Sequence, residues 1–100
     1  MHITGRRPGT RQGPANFTGT AWHRHPHGQA LHVLEGEGPV QRRGGEVEAI
    51  RAGATAWIEP DAWHRHGATP RTFMTRLATV EAAEDGTTTE WHTHMDDHPA

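Results

Sequence analysis

Apolar and polar residues alternate in short runs along most of this chain, which is the pattern of β-strands with one buried face. The alternation predicts strands at residues 20–25, 29–35, 40–43, 46–51, 55–58, 63–66 and 71–81. No stretch before residue 91 has a helical period, and residues 91–97 fit either a short helix or an extended strip. Many short strands separated by turns predict an all-β sandwich or barrel.

Glycine and proline mark the breaks between these strands. Turns are predicted at residues 26–28, 36–39, 52–53 and 60–61. Gly44-Gly45 predicts a tight two-residue hairpin, because both central positions of such a turn need a positive φ. Residues 1–16 hold several glycines and prolines and follow neither period, so we expect a flexible N-terminal arm. Residues 17–98 are then a single domain.

The chain offers little material for a hydrophobic core. Ile, Leu, Val and Phe together number 12 among 100 residues, and much of the remaining apolar content is 13 Ala and four Trp. We expect the Trp side chains to fill the core rather than to stack on a substrate. A small domain with a thin core is often completed by a metal or by oligomerisation, and ten histidines favour a metal here.

Charge and composition exclude several classes of protein. A formal net charge of -2 with mixed signs gives no basic field for nucleic acid. The absence of cysteine excludes disulfides and thiolate metal sites. No apolar run has the length of a signal-peptide core or of a membrane span. We therefore expect a cytoplasmic protein with neither nucleic-acid nor membrane partners.

The spacing of four side chains points to a metal site. His23 and His25 lie two apart on a predicted strand, so both rings face the same side, about 7 Å apart at their Cα atoms. Gln29 returns to that face after the break, and His64 begins another strand 35 residues later. Three imidazoles and an amide oxygen suit Mn, Fe, Ni, Cu or Zn. A surface position for these histidines stays open as the alternative, because His-x-His pairs arise easily in a chain with ten histidines; this one has four, at 23/25, 25/27, 64/66 and 92/94.

The order of these residues resembles the two motifs of the cupin family. His23-x-His25-x-x-x-Gln29, six residues and then Gly36 is similar to the first motif, with Gln in place of the usual Glu. Gly53, six residues, Pro60 and then His64 is similar to the second. Residues 20–97 further resemble the small single-domain cupins similar to manganese-dependent hydroxynitrile lyases. The resemblance implies a jelly-roll β-barrel in which His23, His25, Gln29 and His64 hold one divalent ion, with Mn favoured over Fe, Zn, Cu or Ni.

Two positions depart from that lyase-like branch. Arg76 stands where the branch typically has a histidine that acts as catalytic base, and Val80 where it typically has a glutamine that orients the substrate. A guanidinium does not accept a proton, but it can hold a carboxylate through paired hydrogen bonds. The alternatives for Arg76 are an ion pair with Glu35 or Glu81 and a position that faces solvent. His66 shares the face of His64 and is our candidate for proton transfer; it could also be a fifth ligand or a pocket wall.

A third departure is length. Relatives in this branch place two further strands before the first motif, so the resemblance implies a barrel that lacks two strands near its N-terminus. Such a barrel exposes strand edges. We expect a homodimer in which a second chain covers them, by edge pairing or by exchange of the arm.

Two functions follow from these expectations. The first is a metal-dependent lyase, isomerase or dioxygenase that acts on a small oxygenated or carbonyl molecule, with His66 and Arg76 as catalytic residues. The alternative is a non-catalytic metal or small-ligand binding cupin in which the ion is structural. His92, His94 and His98 suggest either a second metal site or a solvated tail. By strand parity Trp22 and Trp63 should face away from the metal.

Overall fold

The structure, a computed structural model, describes residues 1–5, 21–67, 69 and 71–92. These residues form eight β-strands and no helix, which confirms the predicted all-β class. The strands are β1 (His2–Thr4), β2 (Trp22–Arg24), β3 (Gln29–Arg42), β4 (Glu48–Arg51), β5 (Thr55–Ile58), β6 (His64–His66), β7 (Met74–Val80) and β8 (Glu90–His92). No helix in this part of the chain is long and apolar enough to cross a membrane.

Two antiparallel sheets share the long strand β3. Its first half lies between β5 and β7, and β1 extends that sheet beyond β5. Its second half pairs with β4 and β6, and β2 and β8 follow beyond β6. Buried side chains of both sheets and of two adjoining turns form one core, which consists of Leu31, Val33, Val40, Ile50, Ala54, Ala56, Ile58 and Ala62. Three of these eight are alanines, so the core is as thin as the composition implied.

The turn predicted at residues 36–39 is wrong, because the chain continues there as one strand. β3 has an irregular register between Val33 and Glu35, and Gly36 follows with a φ of 78°. A bulge together with a left-handed glycine bends a strand without ending its ladder, so β3 passes from one sheet to the other. The glycines that suggested a chain reversal instead mark this crossing between sheets.

The Gly44-Gly45 hairpin is confirmed, but its two-residue connection is wrong. β3 ends at Arg42 and β4 begins at Glu48, so residues 43–47 form the loop. Of the two glycines only Gly44 has a positive φ, at 89°. The Gly45 N–H donates to the Arg42 carbonyl at 2.9 Å and closes the first turn of this wider loop. The turns predicted at residues 52–53 and 60–61 are present, and Asp61 has the left-handed φ of 62°.

Both chain ends contribute a short strand. Ile3 of β1 lies opposite Ala56 of β5, and the Met1 amino group donates to the Glu59 carboxylate at 2.9 Å. The first residues of the predicted arm therefore belong to a sheet. The sequence did not predict this strand, because three residues are too few to show an alternation. Residues 6–16 lie outside the described part, and the boundary at residue 17 stays a prediction. At the other end residues 90–92 are strand rather than helix, while His94 and His98 lie outside the described residues.

Candidate metal centre

Three histidines from two neighbouring strands bring their ring nitrogens together. His23 lies directly opposite His64 in the register of β2 and β6, and His66 is two residues further along the same face. One ligand atom from each of the three lies within 4.8 Å of the other two. The exposed fractions are 4% for His23, 0% for His64 and 8% for His66. This buried triad could hold a metal ion.

The other two predicted ligands border the same space. The His25 ring centroid lies 5.2 Å from those of both His23 and His64. The Gln29 Oε1 atom lies 3.0 Å from His64 Nε2, and both His25 and Gln29 are buried. The structure thus brings all four predicted ligands and His66 around one point. The tightest triad contains His66 where the sequence predicted His25, and the assignment of ligands stays a prediction.

Backbone carbonyls fix the orientation of three of the rings. In each case a ring Nδ1–H donates to a carbonyl, which is only an acceptor, so the other nitrogen carries the lone pair. The pairs are His23 with Ala21 at 3.1 Å, His25 with Thr88 at 2.8 Å and His64 with Ala62 at 2.9 Å. The remaining Nε2 atoms are left with lone pairs, which is the form that binds a metal.

Several buried acceptors at this point lack a donor. His64 Nε2 faces Gln29 Oε1, so two lone pairs oppose each other at 3.0 Å. His25 Nε2 and both nitrogens of His66 are buried and have no hydrogen-bond partner within the described ranges. Leaving one buried polar atom unsatisfied costs about 1–3 kcal/mol. A bound cation would satisfy the lone pairs of His25 Nε2, His64 Nε2 and Gln29 Oε1, so the residues present fit a metal ion.

An open pocket of about 400 Å³ leads to the histidine cluster. Its lining includes three predicted ligands together with both predicted catalytic residues, His66 and Arg76. Arg76, Ala78 and Val80 of β7 line it as the predicted strand face requires, and Trp91 of β8 also borders it. The half-buried Arg76 makes no ion pair with Glu35 or Glu81, both of which the structure describes. A guanidinium that has no acceptor among the described residues is thus placed beside the candidate metal ligands.

Comparison with known proteins decides the family. A family model described as the cupin domain matches residues 8–81. The chain belongs to the cupin family. It is 49% identical over 78 residues to an (R)-mandelonitrile lyase from Granulicella tundricola, which confirms the resemblance to lyase-like cupins. That match covers 78% of this chain and 59% of the relative.

A solved structure supports the same fold. A cupin-like protein from Thermotoga maritima superposes with a TM-score of 0.66 at 32% identity, covering 73% of this chain and 54% of that one. The predicted jelly-roll cupin fold is confirmed. This cupin spans about three-fifths of the length of its curated relative and about half of the solved chain.

Burial keeps His23, His64 and His66 of this cupin neutral. Desolvation lowers the pKa of His64 to about 3 and the pKa of His66 to about 2. The charge of Arg76 is the second cause of the lowered pKa of His66. Desolvation also lowers the pKa of His23. At neutral pH these rings are uncharged, as metal binding requires.

Two of the four tryptophans contradict the prediction that they fill the core. Trp57 is 45% exposed and Trp91 is 62% exposed. The Trp91 ring lies 4.7 Å from the His23 ring, because β8 pairs with β2 and places Trp91 opposite His23. A separate prediction, that Trp22 and Trp63 face away from the metal ligands, agrees with the structure, since both pack on arginines that alternate with the histidines. Arg65 stacks on Trp22 at 4.7 Å and Arg24 on Trp63 at 4.6 Å.

The sequence did not identify Trp91 or Thr88 as parts of the site. The Thr88 carbonyl orients His25, which lies 63 residues earlier in the chain. Every residue type has a main-chain carbonyl, so the sequence cannot indicate which one accepts this hydrogen bond. Trp91 was visible in a Trp-His-Thr-His segment that resembles relatives of the lyase-like branch. Only the pairing of β8 with β2 shows that its ring borders the pocket.

Proposed function

We propose that this cupin is a metal-dependent enzyme of lyase, isomerase or dioxygenase type that acts on a small oxygenated or carbonyl substrate. The observation that carries the proposal is a cluster of opposed buried lone pairs at the end of a pocket that also holds the Arg76 guanidinium, which has no ion-pair partner in the part of the chain described. The (R)-mandelonitrile lyase from Granulicella tundricola supports a lyase among these reaction types. A homodimer in the cytoplasm is part of the proposal and rests on the sequence alone.

His23, His25, Gln29 and His64 are the proposed metal ligands. Their donor atoms are neutral nitrogens and one amide oxygen, a set that suits Mn, Fe, Zn, Cu or Ni. Manganese is favoured because of the resemblance to manganese-dependent cupins. When bound, the ion supplies a Lewis acid that polarises a substrate oxygen.

Arg76 holds and orients the substrate in this proposal. Its guanidinium reaches the pocket from β7 and has no carboxylate partner among the described residues. A carboxylate or similar anion can accept two parallel hydrogen bonds from one guanidinium, which fixes orientation as well as position. Half-burial strengthens this contact, because the surrounding dielectric is lower than in water.

His66 is the proposed proton-transfer group. Its ring is neutral at physiological pH, and neither of its nitrogens has a hydrogen-bond partner in the described structure. A neutral imidazole accepts a proton at one nitrogen and can later return it. The lowered pKa makes His66 a weak base, so it accepts a proton only from an acidified substrate group.

A non-catalytic binding protein is the second candidate. The chain lacks the histidine and glutamine that the lyase-like branch typically has at the positions of Arg76 and Val80. Its core contains three alanines among eight members, so a bound ion would add much to stability. Large stabilisation by metal without turnover would favour this candidate.

Elemental analysis of untagged protein tests the metal, and a turnover screen tests the enzyme. We expect about one equivalent of a transition metal in the parent and its loss in His64→Ala. The matched control is His32→Ala, which changes an exposed histidine bonded to Thr55 outside the site. Equal metal content in both variants would refute the site. A loaded protein inactive on aldehydes, cyanohydrins, keto acids and enediols would refute catalysis and leave the binding role.

A further inference from the structure

Strand β7 has a sheet neighbour on only one side in the part of the chain that the structure describes. It pairs with β3 along its whole length, from Met74 to Val80. Its other edge carries main-chain donors and acceptors without a strand partner among those residues. An edge of this kind is a template for pairing with another chain.

The hydrogen bonds of the neighbouring strands show which groups lie on the free edge. The Phe73 carbonyl accepts from the Glu37 N–H at 2.9 Å, on the β3 side. Main-chain groups alternate between the two sides of an antiparallel strand. The main-chain N–H and C=O groups of residues 75, 77 and 79 therefore also point towards β3. The main-chain groups on the free edge are those of Met74, Arg76, Ala78 and Val80.

Features that usually block edge pairing are missing from β7. The strand contains neither proline nor lysine, and its one charged residue, Arg76, points into the pocket. On the outer face Leu77 is 58% exposed, and the nearby Leu34 and Phe73 are 57% and 63% exposed. The described residues thus leave this seven-residue edge uncovered, with apolar side chains exposed beside it.

We propose that two copies of this chain pair antiparallel through their β7 edges, with Leu77 on the two-fold axis. In this register Arg76 lies opposite Ala78 of the second copy, and Met74 lies opposite Val80. All four free residues of each strand are then hydrogen-bonded. Thr75 and Thr79 face each other on the outer side, a favourable cross-strand pair.

The neighbouring two-fold registers of β7 with itself are less favourable than the register with its axis at Leu77. An axis at Arg76 places two guanidinium-bearing residues directly opposite each other, which is destabilising. An axis at Ala78 leaves Met74 without a partner. Among two-fold pairings of two copies, the sequence of β7 therefore favours one register.

This pairing completes the candidate site. Ala78 and Val80 line the pocket and also lie on the free edge, so the second strand borders the pocket mouth. Arg76 of the second copy comes opposite Ala78, with the two Cα atoms about 5.5 Å apart. The inference rests on the homodimer of the proposed function and is independent of the metal.

Cysteine cross-linking tests the axis directly, because the chain has no cysteine of its own. Two Leu77 Cα atoms in a non-hydrogen-bonded pair would be about 4.5 Å apart, within reach of a disulfide. We expect Leu77→Cys to form a covalent dimer under mild oxidation at micromolar concentration. Leu34→Cys is the matched control, because Leu34 has almost the same exposure but lies on β3, one strand away from the proposed β7–β7 contact. Equal cross-linking of the two variants, or a monomeric mass for the parent by light scattering, would overturn the proposal.

Charge exchange tests the same register without a covalent bond. Leu77→Asp and Leu77→Lys should each be monomeric, and mixing them should restore a dimer, since position 77 faces itself only on this axis. Circular dichroism shows whether each variant is folded. If the mixture stays monomeric while both variants are folded, the axis is wrong. A Leu77→Cys protein that cross-links but holds no metal would instead refute only the proposed function.

Discussion

Acid should destabilise the metal-free protein steeply below pH 6.5. His64 and His66 are buried and neutral in the fold, with pKa values of about 3 and about 2. Unfolding exposes them to water, where a histidine has a pKa of about 6.5. The unfolded chain therefore binds more protons between pH 6.5 and pH 3, and the free energy of unfolding falls as the pH falls through that window.

The magnitude follows from the two pKa values. At pH 5 an unfolded histidine lies about 1.5 units below its pKa, and each unit corresponds to about 1.36 kcal/mol. His64 and His66 remain neutral in the fold at pH 5, so each costs about 2 kcal/mol of stability there. Their sum of about 4 kcal/mol is a large share of the roughly 5–15 kcal/mol that stabilises a typical domain.

Urea unfolding of chelator-treated protein, followed by tryptophan fluorescence between pH 7.5 and pH 5, measures this slope. We expect it to approach about 1.4 kcal/mol per pH unit for each of the two histidines. His64→Gln should reduce the slope by about 1.4 kcal/mol per pH unit, because the unfolded variant takes up one proton fewer. His32→Gln should not, because His32 lies on the outer face away from the cluster. A free energy of unfolding that stays flat between pH 6.5 and pH 5 would show that these rings are not buried in the neutral form.

Three further predictions test the metal, the anion site and the backbone. A strong chelator at neutral pH should lower the Tm by roughly 10 °C or more, because an ion at a hundred times its Kd stabilises by about 2.7 kcal/mol; an unchanged Tm in calorimetry would contradict a structural ion. Arg76→Gln should weaken binding of small carboxylates at least about tenfold by isothermal titration, since a charged hydrogen bond contributes about 1.5–3 kcal/mol. The exposed Arg71→Gln is its control, and equal affinities would refute the anion site. Gly36→Ala should cost at least about 2 kcal/mol in urea, because a Cβ at a φ of 78° would meet the Phe73 carbonyl. Gly53 has a similarly positive φ, but an added Cβ there would meet open space, so Gly53→Ala is the control. Equal losses of unfolding free energy in the two variants would show that contact with the Phe73 carbonyl is not the cause.

Strand periodicity made much of the site predictable. Because side chains alternate with a period of two, His23 and His25 had to share a face, as did His64 and His66. The same rule placed Arg76, Ala78 and Val80 on one side of β7, where the structure has them. Parity does not give the distance between strands. The sequence therefore could not show that the donor atoms of His23, His64 and His66 come within 4.8 Å of one another.

Predictions failed where one residue pattern serves two structures. Glycine and proline at residues 36–39 look the same whether a chain reverses or a strand bends between sheets, and only the pairing of β3 with both β4 and β7 distinguishes them. Trp91 could equally have filled a core. It lies beside His23 because β8 joins the edge of β2, a long-range pairing that three residues of alternation cannot specify.

The thin core, the open edge and the metal centre have a common physical origin. Few large side chains are available, so this cupin buries histidines and an amide next to one another instead of aliphatic groups. Those groups leave lone pairs without donors in the described structure, and a cation at the end of the pocket would satisfy them. The β7 edge leaves main-chain groups open among the described residues, and the proposed second copy would satisfy those. Both contacts would stabilise a domain whose own apolar packing is small, and both would border the pocket that contains Arg76. Binding of the ion and pairing of the chains should therefore each raise the free energy of unfolding and each shape the same opening.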